Sequence, residues 1–413
     1  MMTDNLTERD GIAFFHQHGS SPCQSALRAV GGIWLEETDG HRLIDLHGNT
    51  AHHVGYGHPA LVAALKAQFD ELPFSPRRFT NLPAVALAEK LLSHWPGAPA
   101  KVLFANSGSD GIEIALKLAR VATGRHETIS LQGSYHGHGF GAFGLSRTGT
   151  DPRLGPFLPG RHHVAPYWGP GGGERMLSEI EAAFAASETG IACLVAEPIR
   201  SNCHVPPDGL WPEVRRLCDR HGALLIFDEI PSGLGKTGKF FAFDHVGTVP
   251  DAVVLGKALG GGMLPIAAVV ADARLNIAPE LDLGHYTHEK NPLTTRAALT
   301  TIEIIENEGL VASAGAGEQV FFAAVAALSQ NVPAIKGARG KGLLLAIELD
   351  LPAMGREPGA DFEHNMLAAL RNEGVSTVFK GRSSISFSPP LVISEAEIID
   401  TLERLGRAVQ AVS

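Results

Sequence analysis

The sequence predicts an α/β fold, with a large domain on a mostly parallel central sheet and a smaller α+β domain formed by both chain ends. Three observations predict it. Short apolar runs rich in Val, Ile, Leu and Phe alternate with amphipathic stretches through the middle of the chain, as buried parallel strands covered by helices do. The flanks read differently, with a hairpin-like segment near the start and a long helical pattern after residue 290. At 413 residues the chain is long enough to bury two such bodies.

Taken in order, "GIWLEETDGHRLIDLHG" reads as an antiparallel hairpin turning at "TDG". Buried strands follow at "KVLFANSG", "HETISLQGSYHG", "IACLVAEPI", "ALLIFDEI", "DAVVLGK" and "IAAVVA". Helical patterns such as "DGIEIALKLARVA" and "LWPEVRRLCDRHG" lie between several of them. Past "PLTTRAALTTIEIIENEG" comes an α+β region with strands at "GLLLAIELD" and near "SSISFS". The expected division is 1–60 and 291–413 for the small domain and 61–290 for the large one.

Composition excludes several function classes. Lys+Arg number 34 against 44 Asp+Glu, a net charge of −10, and no basic block exists to meet a nucleic-acid backbone. No apolar run approaches the about 20 residues that span a bilayer. The opening "MMTDNLTERDGIAFF" has no basic segment before an apolar core, so no signal peptide is visible and a cytoplasmic protein is expected. Cys23, Cys193, Cys203 and Cys218 form no CxxC pair, and the histidine pairs at 52–53 and 162–163 lack helical i,i+4 ligand spacing. No metal site is expected.

Candidate chemistry sits where a doubly wound sheet places it, beyond the carboxyl ends of the strands. In "VVLGKALGGG", Lys257 stands between a β-branched run and three glycines. It is either a strand-end residue reaching for solvent or a nucleophile kept for its amine. In "FANSGSDGIEIALKLAR", Ser107, Gly108 and Ser109 form a turn into a helix starting near Asp110. That turn is a phosphate cradle or an ordinary cap at Ser109. "GSYHGHG" offers Tyr135 and His136, an aromatic that could stack on a flat ring or merely pack. "ALLIFDEI" buries a carboxylate pair, and Asp228 there needs a cationic partner. Phosphate cradle, ring stacker, buried carboxylate and lysine, in that order, are what pyridoxal 5'-phosphate requires.

With these residues in hand, the chain resembles the class III aminotransferase family of pyridoxal-phosphate fold type I. The likeness begins at "GHRLIDLHGNTAHHVGYGHPALVAAL" and runs through "NSGSDGIEIALKLAR" and "GSYHG". It is most specific over "AEPIRSNCHVPPDGLWPEVRRLCDRHGALLIFDEIPSGLGKTGKFFAFDHVGTVPDAVVLGKALGGG", and ends at "YTHEKNPLTTRAALTTIEIIE" and "SPPLVISEAEI". The resemblance implies that Lys257 holds the cofactor through its amine and later shuttles a proton. It implies that Asp228 pairs with the ring nitrogen, that Tyr135 and Ile230 cover the two ring faces, and that Gly108 and Ser109 bind the phosphate. Glu197 aligns with a carboxylate near the substrate. Thr287 aligns with a threonine that reaches the neighbouring subunit's phosphate, which implies a homodimer with shared active sites.

The departures bear on substrate. An arginine common in the family, which clamps a substrate carboxylate, is Ser386 here in "SISFSPPL". Pro231 replaces a common glutamine, Glu289-Lys290 a small pair, and "EPIRSNCHVPP" leans towards the aminomutase-like branch. These changes argue against glutamate as amino donor and leave the cofactor residues intact. Replacement cations are Lys380, Arg382, Lys290 and the pair Arg77-Arg78, and His52, His53 and His288 are candidate pocket residues. The expected activity is amino transfer from an amine or amino acid to an oxo acid. The alternative is a lyase acting on an amino-alcohol phosphate or phosphonate-like compound, or a racemase or aminomutase. Retention of both Lys257 and Asp228 argues against a non-catalytic binding module.

Overall fold

The computed structural model describes residues 5–17, 23–146 and 151–413. Its strands in chain order are β1 Leu27–Gly31, β2 Trp34–Glu37, β3 Arg42–Asp45, β4 Ala100–Ala105, β5 Glu127–Leu131, β6 Arg161–Val164 and β7 Ile191–Ala196. They continue with β8 Leu224–Asp228, β9 Ala252–Leu255, β10 Ala267–Asp272, β11 Ile335–Lys341, β12 Leu344–Leu349, β13 Val375–Ser376 and β14 Ser384–Phe387.

Seven strands form the central sheet, in the order β4-β10-β9-β8-β7-β5-β6. Strands β6, β5, β7, β8 and β9 pair in parallel, and β10 runs antiparallel to both its neighbours, β9 and β4. The short connection from β9 to β10 explains the reversal, since a parallel return needs a longer crossover. Every residue of β7 and β8 is buried, as expected for strands covered on both faces. The helices Gly108–Thr123 and Leu210–His221 pack stripes such as Ile112, Ala115 and Ala119, or Trp211, Val214 and Leu217, into the core. The sequence gives little sign of β6, "RHHV", because it is an edge strand with only Val164 buried.

A second sheet, β1-β2-β3-β13, contains the expected hairpin, β2 and β3 turning through Thr38–Gly40. Strand β13 lies parallel to β3, with Val375 opposite Ile44, so the two chain ends share one sheet. A third sheet, β11-β12-β14, carries the expected strands β12 and β14 and adds β11, whose "IKGARGK" is too polar to stand out. The sequence shows no apolar run of bilayer length. Among the described residues, however, the Ala-rich helix Leu310–Asn331 is long and apolar enough to cross a membrane by length and composition. Here its stripe Leu310, Ala314, Phe321 and Val325 is buried in the fold.

Candidate active site

Strand β9 delivers Lys257 one residue past Gly256. Lys257 has φ +45°, a left-handed conformation that an L-residue with a long side chain rarely adopts, and it opens the turn Lys257–Gly260. Its side chain stands in a cleft, so solvent touches it while protein encloses most of its surroundings. Loss of hydration lowers the pKa of its amine; Asp228 and Glu197 oppose the shift and the charge of Lys380 adds to it. Among the described residues the amine has no hydrogen bond and no ion pair.

The carboxylate pair of "ALLIFDEI" separates in the structure. Asp228, 2% exposed, accepts a bond from His136 Nδ1 at 2.7 Å and another from the Ile230 N–H at 3.0 Å. His136, 1% exposed, is a hydrogen-bond partner of this carboxylate, and its own Nε2 has none. Sequence separation of 92 residues hides the pair from any reading of motifs. Glu229 points the other way and accepts from the Ala242 and Phe243 N–H groups at 2.6 and 2.7 Å; burial pushes its pKa up to about 8. It holds a turn together and takes no part in the cleft.

At the phosphate-cradle candidate the cap lies two residues earlier than Ser109. Ser107 has extended backbone, its hydroxyl accepts from the Asp110 N–H at 3.1 Å, and the helix begins at Gly108 rather than near Asp110. The N–H groups of Gly108 and Ser109 fall in the first turn, where the helix supplies no acceptor. Gly108 lets Ile230 approach closely: a Cβ there would sit 2.6 Å from Ile230 Cδ1, so that side chain would have to shift. Ser109 Oγ accepts from the His138 N–H at 3.1 Å.

These parts meet around one cavity of about 160 Å³, lined by Gly108, Ser109, Tyr135, His136, Glu197, Asp228, Ile230 and Lys257, with Gly137, Ser201 and Pro231 added. Tyr135 is 54% exposed, its ring edge-on to His138. Glu197, 2% exposed, pairs with Arg200 and accepts from the Ser201 N–H at 3.0 Å. Arg200 is also buried; it donates to Gly133 O at 3.1 Å and lies 5.3 Å from the Trp168 ring centre. A larger cleft of about 740 Å³ runs beside Asn5, Leu6 and Glu37, but Arg371 binds that carboxylate with two bonds of 2.6 Å, and the cleft holds none of the constellation.

The remaining candidates scatter. Ser107 serves as cap and lies outside the cavity lining, and Thr287 is exposed on the loop before the helix Pro292–Asn307. His52 and His53 are buried in the fold instead. Nε2 of His52 lies 3.7 Å from Asp45, Nε2 of His53 bonds Gly233 O at 3.2 Å, and burial draws the His52 pKa down to about 4. His288 is exposed and edge-on to Phe74. Arg78 and Arg382 are exposed, Arg77 lies 3.8 Å from Glu289, and the Lys290 carbonyl accepts from Asn81. Lys380 is half-buried beside the site. Sequence reasoning passes over His47 and Arg200; the arginine was visible in "EPIRSN", and only the fold brings His47 near.

The family model described as aminotransferase class-III matches residues 15–409. An (R)-1-hydroxy-2-aminoethylphosphonate ammonia-lyase of Vibrio splendidus is 34% identical, over 99% of this chain and 91% of that protein. An acetylornithine aminotransferase of Mycolicibacterium smegmatis is 32% identical, over 95% of each. The crystal structure of a PLP-bound amine transaminase from an uncultivated Pseudomonas species matches with a TM-score of 0.88 and 27% identity, over 97% of this chain and 99% of that one.

Proposed function

The chain belongs to the class III aminotransferase family, with pyridoxal 5'-phosphate as its cofactor, and on that footing we propose roles for its residues in moving an amino group from a small amine or amino acid to an oxo acid. The site fits the cofactor: it offers first-turn N–H groups for a phosphate, an exposed aromatic ring, a buried carboxylate and an amine without a partner. Bound there, pyridoxal 5'-phosphate supplies an electron sink for the charge left when a bond to the amine-bearing carbon breaks.

The chain's own residues do the rest. Lys257 holds the cofactor through its amine and, once displaced, moves the proton at the amine-bearing carbon. Asp228, fixed by His136 and the Ile230 N–H, would be the anion available to the ring nitrogen and would favour its protonated form. Tyr135 and Ile230 cover the ring faces, Gly108 and Ser109 take the phosphate, and Glu197 stands beside the substrate. The observation that carries this reading is the unpartnered Lys257 amine, held at positive φ in a cavity shared with Asp228 and Glu197.

The enzyme is cytoplasmic and works as a homodimer, with domain boundaries near residues 60 and 290. Its exposed Thr287 reaches the phosphate of the second subunit. Thr287→Ala therefore loses cofactor several-fold faster on dialysis, followed by absorbance; retention equal to the parent removes the cross-subunit contact.

A second reading has its own support. Ser386 offers no guanidinium to a substrate carboxylate, and the Vibrio splendidus relative bears the name of an ammonia-lyase. On this reading an amino alcohol bearing a phosphonate or phosphate loses its amine as ammonia and leaves as a carbonyl compound. Ammonia release without any oxo acid separates it from amino transfer.

A further inference from the structure

Three backbone stretches are zipped together beside Lys257. The Leu46 N–H donates to Ser376 O and the Ser388 N–H to Leu46 O, each at 2.9 Å. The Ser386 N–H donates to Val378 O at 2.9 Å, the Thr377 hydroxyl to Ser386 O at 2.6 Å, and the Lys380 N–H to Ser384 O at 2.7 Å. Lys380 thus rides on a hairpin whose return strand carries Ser386. His47 lies where the first stretch runs into the turn Gly48–Thr50, and that turn packs on the turn that Lys257 opens.

Charges of both signs meet here: Lys257, Lys380 and Lys236 are the cations, and the Asp45 carboxylate, which accepts from the His47 N–H at 3.0 Å, is the nearest anion to His47 in sequence. Lys380 is half-buried, and among the described residues it has no ion pair and no side-chain hydrogen bond. Its charge is felt at Lys257, at His47 and at the fully buried Lys236. His47, pressed down to about 4 by burial and then by Lys380, stays neutral at physiological pH. Polar atoms without partners collect in the same region: His47 Nδ1, Ser386 Oγ and Ser388 Oγ are all buried and unbonded. A half-buried ammonium without a partner, next to unused hydrogen-bonding groups, leaves a place that an anion can fill.

We propose that Lys380, with His47 beside it, seats the anionic end of the substrate, and that this end is a phosphonate or phosphate monoester rather than a carboxylate. This rests on the proposed role of Lys257, since the seat is placed by the turn that packs on the one Lys257 opens. A phosphonate or phosphate dianion carries more charge and three oxygens, which a point-charge ammonium and the neutral His47 can share, whereas the fork that would hold a carboxylate bidentately is missing at Ser386.

The test uses the holoenzyme and two probes, methylphosphonate and acetate, with binding read by calorimetry and the cofactor band recorded on the same samples. Methylphosphonate is expected to bind more tightly than acetate. Lys380→Gln is expected to weaken methylphosphonate by at least about tenfold with the band retained, and Lys380→Arg to restore part of the loss. A normal band with equal methylphosphonate binding in parent and Lys380→Gln overturns the seat alone. So does failure of the parent to bind methylphosphonate, and tighter binding of acetate overturns the assigned substrate class. A parent protein that shows no cofactor band after loading overturns the role of Lys257 and the seat together.

Discussion

Lys257→Ala is expected to remove the covalently held cofactor's visible band and to lower turnover by at least about a thousandfold, in a protein that remains folded. No other amine can stand in. Lys236 is fully buried with its ammonium donating to Pro389 O, and Lys380 lies on the hairpin whose return strand carries Ser386. Alanine keeps the Cβ, so the strain of a non-glycine residue at positive φ is unchanged and stability should change little. The pH dependence follows from the direction of the Lys257 shift. Only the neutral amine attaches the cofactor, so attachment speeds up as pH rises through the lowered pKa and levels off above it. Lys380→Gln, which removes a charge that depresses this pKa, moves the rise to higher pH. Stopped-flow absorbance across pH measures it, and a profile unmoved by that substitution contradicts the electrostatic link.

Asp228→Ala is expected to cost about a hundredfold or more in turnover, because the ring nitrogen loses the anion that keeps it protonated. The same change strands His136, whose buried Nδ1–H then has no acceptor, at roughly 1–3 kcal/mol of stability. Asp228→Asn keeps the side-chain shape and removes the charge; its Oδ1 can still accept from the Ile230 N–H while its amide donates to His136 Nδ1 in the other tautomer, so it separates the two effects. It should unfold near the parent's midpoint and still turn over poorly. Near-parent rates in Asp228→Asn would withdraw the assignment of this carboxylate to the ring nitrogen.

How much of this was legible in the sequence follows from physical range. Strands such as β7 and β8 announce themselves because both faces are buried, which fills every position with apolar residues. Edge strands β6 and β11 do not, because one side meets solvent and polar residues are tolerated there. Residues at consecutive strand ends were legible as a set because a parallel sheet gathers those ends, and Gly108, Tyr135, Asp228 and Lys257 do line one cavity. The cap at Ser107 was misplaced by two residues because "SGS" offers two hydroxyls at the same turn and only backbone conformation chooses between them. The bond between His136 and Asp228, the Arg200–Glu197 pair and the approach of His47 to Lys257 depend on chain segments far apart in sequence, and no local pattern encodes them. Thr287 is exposed and lies outside the lining of this cavity.

The central claim is that Lys257 holds pyridoxal 5'-phosphate and passes amino groups through it, and a visible absorbance titration tests it most directly. The loaded protein is offered a panel of amines, amino acids and phosphonate-bearing amino alcohols in the absence of any oxo acid, with ammonia assayed alongside. The expected result is a visible band in the parent, none in Lys257→Ala, and loss of the band with one class of amine, restored by an oxo acid. A band that recovers unaided while ammonia accumulates assigns the elimination reading to the same lysine. A parent protein whose spectrum is the same as that of Lys257→Ala, and which no amine alters, contradicts the account.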